Sequence, residues 1–295
     1  MPFTERFHTI RRIAAALAST LALVASTTLL AGSTGTATAA GRWAPEGEAL
    51  IHPGVQMYTA GAQCTANFVF TDAAGRVYVG YAAHCAGTGE ATDTNGCKAA
   101  SHPLGTPVRF ASDGSLVSSG TTVGRGRLVY SSWLTMQRRG TTAANKCAYN
   151  DLALVKVGRD HVGKVNPTVP FWGGPVGLGT EGSAPGDEVY SYGNSSLRAG
   201  VTELSPKVGT SLGQEANGWS HPVYTVSPGV PGDSGSGFLD AQGRALGTLS
   251  TLALLPLAGS NGVGDLSHEL AFAKRHSGID GLRLVKGTAP FSPGL

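Results

Sequence analysis

Three short contexts hold side chains suited to acyl-transfer chemistry: Ala82-Ala83-His84-Cys85, Asn150-Asp151-Leu152-Ala153-Leu154, and Gly232-Asp233-Ser234-Gly235-Ser236-Gly237. Each alone has an ordinary explanation. His84 follows a β pattern and suits a half-buried histidine, Asp151 opens the alternating run DLALVKV, and the glycine-flanked serine suits a tight loop. Taken together in the order His, Asp, Ser, they offer an imidazole to deprotonate a hydroxyl and a carboxylate to fix its tautomer. The glycines around Ser234 leave its hydroxyl accessible and its backbone N–H groups free to converge on a developing oxyanion.

Such residues need a rigid scaffold, and the composition points to β structure. Charged residues are 14% of the 295, and glycines number 43. That is low in charge and rich in turn formers for a globular chain. Short Val-, Tyr-, Phe- and Leu-rich segments recur between Gly, Asn, Asp and Pro clusters, which predicts an antiparallel sandwich or barrel rather than βαβ units. Hairpins are predicted through Ala73-Ala74-Gly75 and Ala241-Gln242-Gly243. One helix is predicted over residues 267–276, with Ser267 as its N-cap. The Pro- and Gly-rich stretch 158–186 divides the chain near its middle and suits a linker between two β units.

Residues 1–40 have the layout of a secretory signal peptide: Arg6, Arg11 and Arg12, an apolar run over 13–30, and a small-residue end at Ala37 to Ala40. The run is short for a membrane span and lacks a basic flank after Leu30. Removing the segment takes those three arginines and Glu5, leaving a nearly neutral chain without the field that nucleic acid or anionic lipid would require. Cys64, Cys85, Cys97 and Cys147 all lie in the exported part, an even set that predicts two disulfides with three pairings open. No two of them have zinc-site spacing, so no metal is expected.

The text CTANFVFTDAAGRVYVGYAAHC around His84, NDLALVKV around Asp151, PGDSGSG around Ser234 and GTLS ending at Ser250 resembles the secreted chymotrypsin-like serine proteases, over about residues 52–285. The resemblance implies an all-β fold of two six-stranded antiparallel β-barrels with a short C-terminal helix. It implies a nucleophile at Ser234, a general base at His84, an orienting carboxylate at Asp151, and oxyanion donors in the Gly232 and Ser234 N–H groups. Ser250 falls on the substrate-binding strand. Cys64 and Cys85 match the bridge beside the histidine, which leaves Cys97 to Cys147. Protein or peptide substrates, a monomer and no cofactor are expected.

Departures from the family pattern also carry information. Ser236 replaces a glycine in the usual GDSGGP. No Ile-Val-Gly-Gly-like start occurs near residues 41–60, so Asp233 needs a partner other than a newly made N-terminus. The interval from His84 to Asp151 is long for the family, placing an added loop within 86–146. No Asp or Glu lies in 221–231 and Leu249 stands before Ser250, so neither a basic nor a glutamate P1 residue is indicated and an apolar or small one is the default. His221 is read as an exposed strand-start histidine rather than a pocket group.

The resulting layout is a signal peptide (1–40), an arm or short pro-segment (41–55), a first barrel (56–160), a second barrel (161–285) and a tail (286–295). Two rivals to a secreted endopeptidase are a protease-like binding module without activity and a secreted esterase. An α/β-hydrolase esterase wants Gly-x-Ser-x-Gly followed by a helix, but Ser236 occupies the last glycine position and no helical pattern follows.

Overall fold

Two five-residue turns with the same chemistry organise the two halves of the chain. Asp72 and Asp240 each accept a backbone hydrogen bond from an arginine four residues on, Arg76 and Arg244, and each carboxylate also binds that guanidinium. Gly75 and Gly243 take the positive φ that each turn requires, +75° and +74°. The hairpins read at these positions therefore form as expected, one in each β unit.

The computed structural model describes residues 42–89, 94–253 and 260–294; the expected signal peptide lies outside them. The first unit contains β1 (Gln56–Thr59), β2 (Ala62–Thr65), β3 (Val69–Thr71), β4 (Val77–Ala82), β5 (Pro107–Ser112), β6 (Thr121–Ser131) and β7 (Leu152–Val157). The second contains β8 (Pro185–Tyr192), β9 (Pro206–Leu212), β10 (Ser220–Thr225), β11 (Gly237–Asp240), β12 (Ala245–Ala253) and β13 (Ser260–Asp265). A short β14 (Arg283–Leu284) returns to pair with β3.

The second unit is a closed six-stranded barrel in the order β10-β13-β12-β11-β8-β9. The first is an antiparallel sheet ordered β14-β3-β4-β7-β6-β5-β1-β2. Only residues 66–68 separate β2, at one end of that order, from β3, next to the other end, so the sheet comes round on itself through the chain. With β2 and β3 taken as halves of one interrupted strand, the unit has the six strands expected, plus β14. Each unit holds its own apolar core: Phe68, Phe70, Leu128 and Leu154 are fully buried in the first, and Val189, Phe238 and Val263 in the second. The chain is thus all-β with two antiparallel units.

Several local expectations change. The interval 86–146, within which an added loop is expected, supplies β5, β6, the helix α1 (Ser132–Arg138) and the start of a second short helix, α2 (Ala144–Tyr149). The C-terminal helix α3 (Leu266–His276) is capped by Asp265, whose side chain accepts from His268 N–H, rather than by Ser267. Asp265 wins because it ends β13, where the backbone is still extended as an N-cap requires. The described part of the N-terminal arm is docked: Leu50 and Ile51 donate to Lys164 O, and Ile51 is fully buried.

The disulfides are Cys64–Cys85 and Cys97–Cys147, the pairing the resemblance implies. The second closes a 50-residue separation, a loop for which chain entropy gives about 4 kcal/mol. Replacing Cys97 and Cys147 together by serine is expected to lower the melting temperature by roughly 10 °C in calorimetry.

Candidate active site

Antiparallel pairing of β4 with β7 sets Ala82 opposite Leu152, so the residues just beyond the ladder meet. Ala83 N–H donates to Asp151 O at 2.8 Å, and His84 N–H donates to Asp151 Oδ1 at 2.8 Å. His84 Nδ1 lies 2.7 Å from Asp151 Oδ2. An ionised carboxylate only accepts, so Nδ1 carries the proton and Nε2 is left as a base. Ser250, at a bulge in β12, donates its hydroxyl to the same Oδ2 at 2.5 Å. Its expected place on a substrate-binding strand is thus joined by a direct hold on Asp151 from the second barrel.

His84 is 22% exposed and sits beside the buried Trp133 of α1, with ring centroids 6.4 Å apart. Burial lowers the imidazole pKa, but the charge of Asp151 and its hydrogen bond outweigh burial and raise it above the ordinary value. Nothing in the sequence tied Trp133 to the histidine, since α1 reaches the site only through the tertiary fold.

Ser234 arrives from the second barrel on the 228–236 loop, and the backbone docks that loop onto the first. Ser234 O accepts from Thr65 N–H at 2.8 Å and lies 3.9 Å from Cys85 Sγ. Gly235, with φ of +88°, lets the chain pass so close that a Cβ would lie 2.6 Å from Thr65 O and 2.8 Å from Ala82 N. This is the physical reason for glycine after the serine. Among the described residues, the Gly232 and Ser234 N–H groups donate to no acceptor, whereas those of Asp233, Gly235 and Ser236 are turned to Val230, Leu249 and Asp233 carbonyls. The Ser234 hydroxyl likewise makes no hydrogen bond among the described residues, and in unliganded sites such bonds commonly tighten only with substrate.

Asp233 is fully buried and doubly paired. Arg198 Nη2 lies 2.6 Å and Lys207 Nζ 3.1 Å from its Oδ2, and Ser195 and Val230 donate backbone N–H bonds to the carboxylate. Lys207 spends its three protons on Asp233 and the Ser227 and Pro228 carbonyls, and its burial lowers its pKa against the opposing pull of Asp233. These cations answer the need left by the missing N-terminal sequence. The sequence did not single them out because neither is near Asp233 along the chain.

Behind Asp151 lies a second buried carboxyl. Glu269 of α3 accepts from Asp151 N–H at 2.9 Å and pairs with the Thr248 hydroxyl at 3.0 Å. Burial, reinforced by the Asp151 charge, pushes its carboxyl well above the usual range. His221 also differs from expectation: it is fully buried in β10, with Nε2 2.9 Å from Asp265 Oδ2 and Nδ1 3.0 Å from Ser183 Oγ. Asp265 thus joins the two elements, capping α3 through Oδ1 and meeting His221 through Oδ2. Cys64, His84 and Cys85 bring potential metal donors within 4.8 Å of one another, but both sulfurs are spent in the disulfide.

No protein-family model matches the chain, and no curated protein matches it. Among solved structures it is similar to Thermobifida fusca protease A, at 18% identity over 81% of this chain and 100% of that one, with a TM-score of 0.47. A Nocardiopsis protease matches at 18% identity over 80% and 98%, with a TM-score of 0.45. Cellulomonas bogoriensis chymotrypsin matches at 17% identity over 80% and 98%, with a TM-score of 0.46.

Two stability measurements check the site's framework. In urea unfolding at neutral pH, Glu269→Gln, which keeps an acceptor for Asp151 N–H, is expected to cost under about 1 kcal/mol, and Glu269→Leu about 2–4 kcal/mol. Arg198→Met and Lys207→Met each leave Asp233 one cation, whereas the double variant leaves a bare buried charge. The double-mutant cycle should therefore show a coupling of at least about 1 kcal/mol, the pair together costing more than the sum of the single variants.

Proposed function

We propose that this chain is a secreted serine endopeptidase that hydrolyses peptide bonds through an acyl-enzyme on Ser234. The observation that carries the reading is the double use of Asp151: it fixes His84 through both Nδ1 and the backbone N–H while accepting the Ser250 hydroxyl from the other barrel. With Nδ1 committed to Asp151, Nε2 is the nitrogen left to act as base. In the first step Ser234 Oγ attacks the substrate carbonyl as its proton passes to His84 Nε2, and the carbonyl oxygen, now anionic, takes the Gly232 and Ser234 N–H groups. The imidazolium then gives its proton to the departing amine, leaving the acyl group on Ser234. Water repeats the sequence to release the acid.

The two disulfides fit an oxidising, extracellular location. Asp151 is committed to His84, and Asp233, next to the serine in the chain, to Arg198 and Lys207, so neither of these carboxylates is free to draw a basic P1 side chain, in keeping with an apolar or small one.

The base must be neutral, and its folded pKa is raised, so activity is expected to fall on the acid side with a midpoint above the ordinary histidine value of about 6.5. The linkage to stability has the opposite sign: the protonated imidazole beside Asp151 stabilises below the unfolded pKa, and that contribution is lost as pH rises through the folded one. Rate measurements on a peptide substrate from pH 5 to 9, run beside urea unfolding, check both signs. Ser234→Ala should fold normally and abolish turnover. A flat pH profile, or cleavage by Ser234→Ala, would remove the assignment.

A further inference from the structure

One face of the first sheet concentrates positive charge that has no acidic partner among the described residues. Residues paired across strands share a face, as do residues two apart along a strand. By register, Tyr58 of β1 stands opposite Arg109 of β5, and Arg109 opposite Arg125 of β6. Two residues along β6, Arg127 stands opposite Lys156 of β7. Like charges directly opposite one another weaken a sheet, and here two such pairs adjoin. None of the four cations forms a salt bridge among the described residues. The whole chain has 22 basic and 19 acidic residues, so the patch is a local concentration rather than the surface of a strongly basic protein.

The patch is also shaped. The Arg109 guanidinium lies over the Tyr58 ring at 4.3 Å and donates to the Ser119 carbonyl at 2.7 Å, which fixes its position. Tyr58, Arg109 and Arg125 line a cavity of about 330 Å³. The same row reaches the candidate active site, because Gln63 of β2 stands opposite Tyr58 and its Nε2 donates to Gly232 O at 3.1 Å. From Gln63 to Arg125 is three strand spacings, about 14 Å, which an extended peptide covers in about four or five residues.

We propose that Arg109, Arg125, Arg127 and Lys156 form an exosite that docks a Glu- or Asp-rich segment of the polypeptide substrate, about five residues from the bond cut. The inference rests on the endopeptidase reading and adds a substrate class to it. Charge complementarity argues for an acidic occupant, and continuity with Gln63 argues that it belongs to the chain being cleaved.

The test uses two fluorogenic peptides with the same scissile sequence, flanked on both sides from about the fifth residue by either Glu or Gln tetrads. The processed protein should cleave the Glu peptide about tenfold better in kcat/KM at low salt, through KM, and lose the preference near 0.5 M salt. Arg125→Gln with Lys156→Gln, both exposed, should lose the preference, cleave the Gln peptide at the original rate and unfold at the same or a slightly higher urea concentration, since each substitution removes one like-charge pair. Equal rates on the two peptides, or a preference that survives the double substitution, overturn the exosite. Fluorescence anisotropy of the labelled Glu peptide on Ser234→Ala separates the two readings. Binding lost on the charge substitutions sustains the exosite even if no peptide is cleaved. No binding overturns it, as does binding of heparin in place of the Glu peptide, which would assign the patch to sulfated polysaccharide.

Discussion

A carboxylate held away from water must be met by donors, and Asp151 is the point where that requirement ties the molecule together. Its two oxygens take the His84 N–H, the His84 Nδ1–H and the Ser250 hydroxyl, drawn from the turn after β4 and from the opposite barrel. Its own N–H is accepted by Glu269 from the C-terminal helix. Any shift of one barrel against the other would break a charge-assisted hydrogen bond in a buried place, where such bonds are strongest. The orientation of the imidazole is therefore a consequence of how the two units are packed, and the disulfides at Cys85 and Cys147 sit next to the two segments whose meeting it depends on.

The same rule governs Asp233 at the foot of the serine loop. A buried negative charge there would force the loop apart, and Arg198 and Lys207 supply its counter-charge from residues already in the chain. In the family this sequence resembles, a newly cut N-terminus often performs that task. Here the loop is shaped without one, which removes the electrostatic need for an activating cleavage at the start of the first barrel. With both cations committed to Asp233, the Gly232 and Ser234 N–H groups of the loop make no hydrogen bond among the described residues.

Much of this was legible in the sequence because it is local. The AAHC and GDSG contexts carry their chemistry within a few residues, and the D-x-x-G-R turns announce both hairpins by side-chain type alone. What stayed hidden depends on residues far apart in the chain. Glu269 looked like an ordinary helix residue until α3 was placed behind Asp151; a buried glutamate is unusual, but its position in a short amphipathic helix gave no sign of burial. Lys207 carries no local signal of burial and is buried only because β9 closes the second barrel. His221 was misread for the same reason, since its burial depends on β10 closing into the second barrel and its partner Asp265 lies 44 residues away. The sequence reading placed the cap of α3 at Ser267, and Asp265 takes it because the end of β13 leaves that residue's backbone extended.

The central claim is that the packing of two barrels makes the Ser234 hydroxyl nucleophilic through His84. Labelling of the processed protein with a fluorophosphonate, followed by peptide mass spectrometry, reads this directly without knowledge of the substrate, with His84→Ala as the control. The account predicts a single adduct on Ser234 that disappears in His84→Ala while the variant remains folded. An adduct on another residue, or labelling of Ser234 that persists without His84, would contradict it.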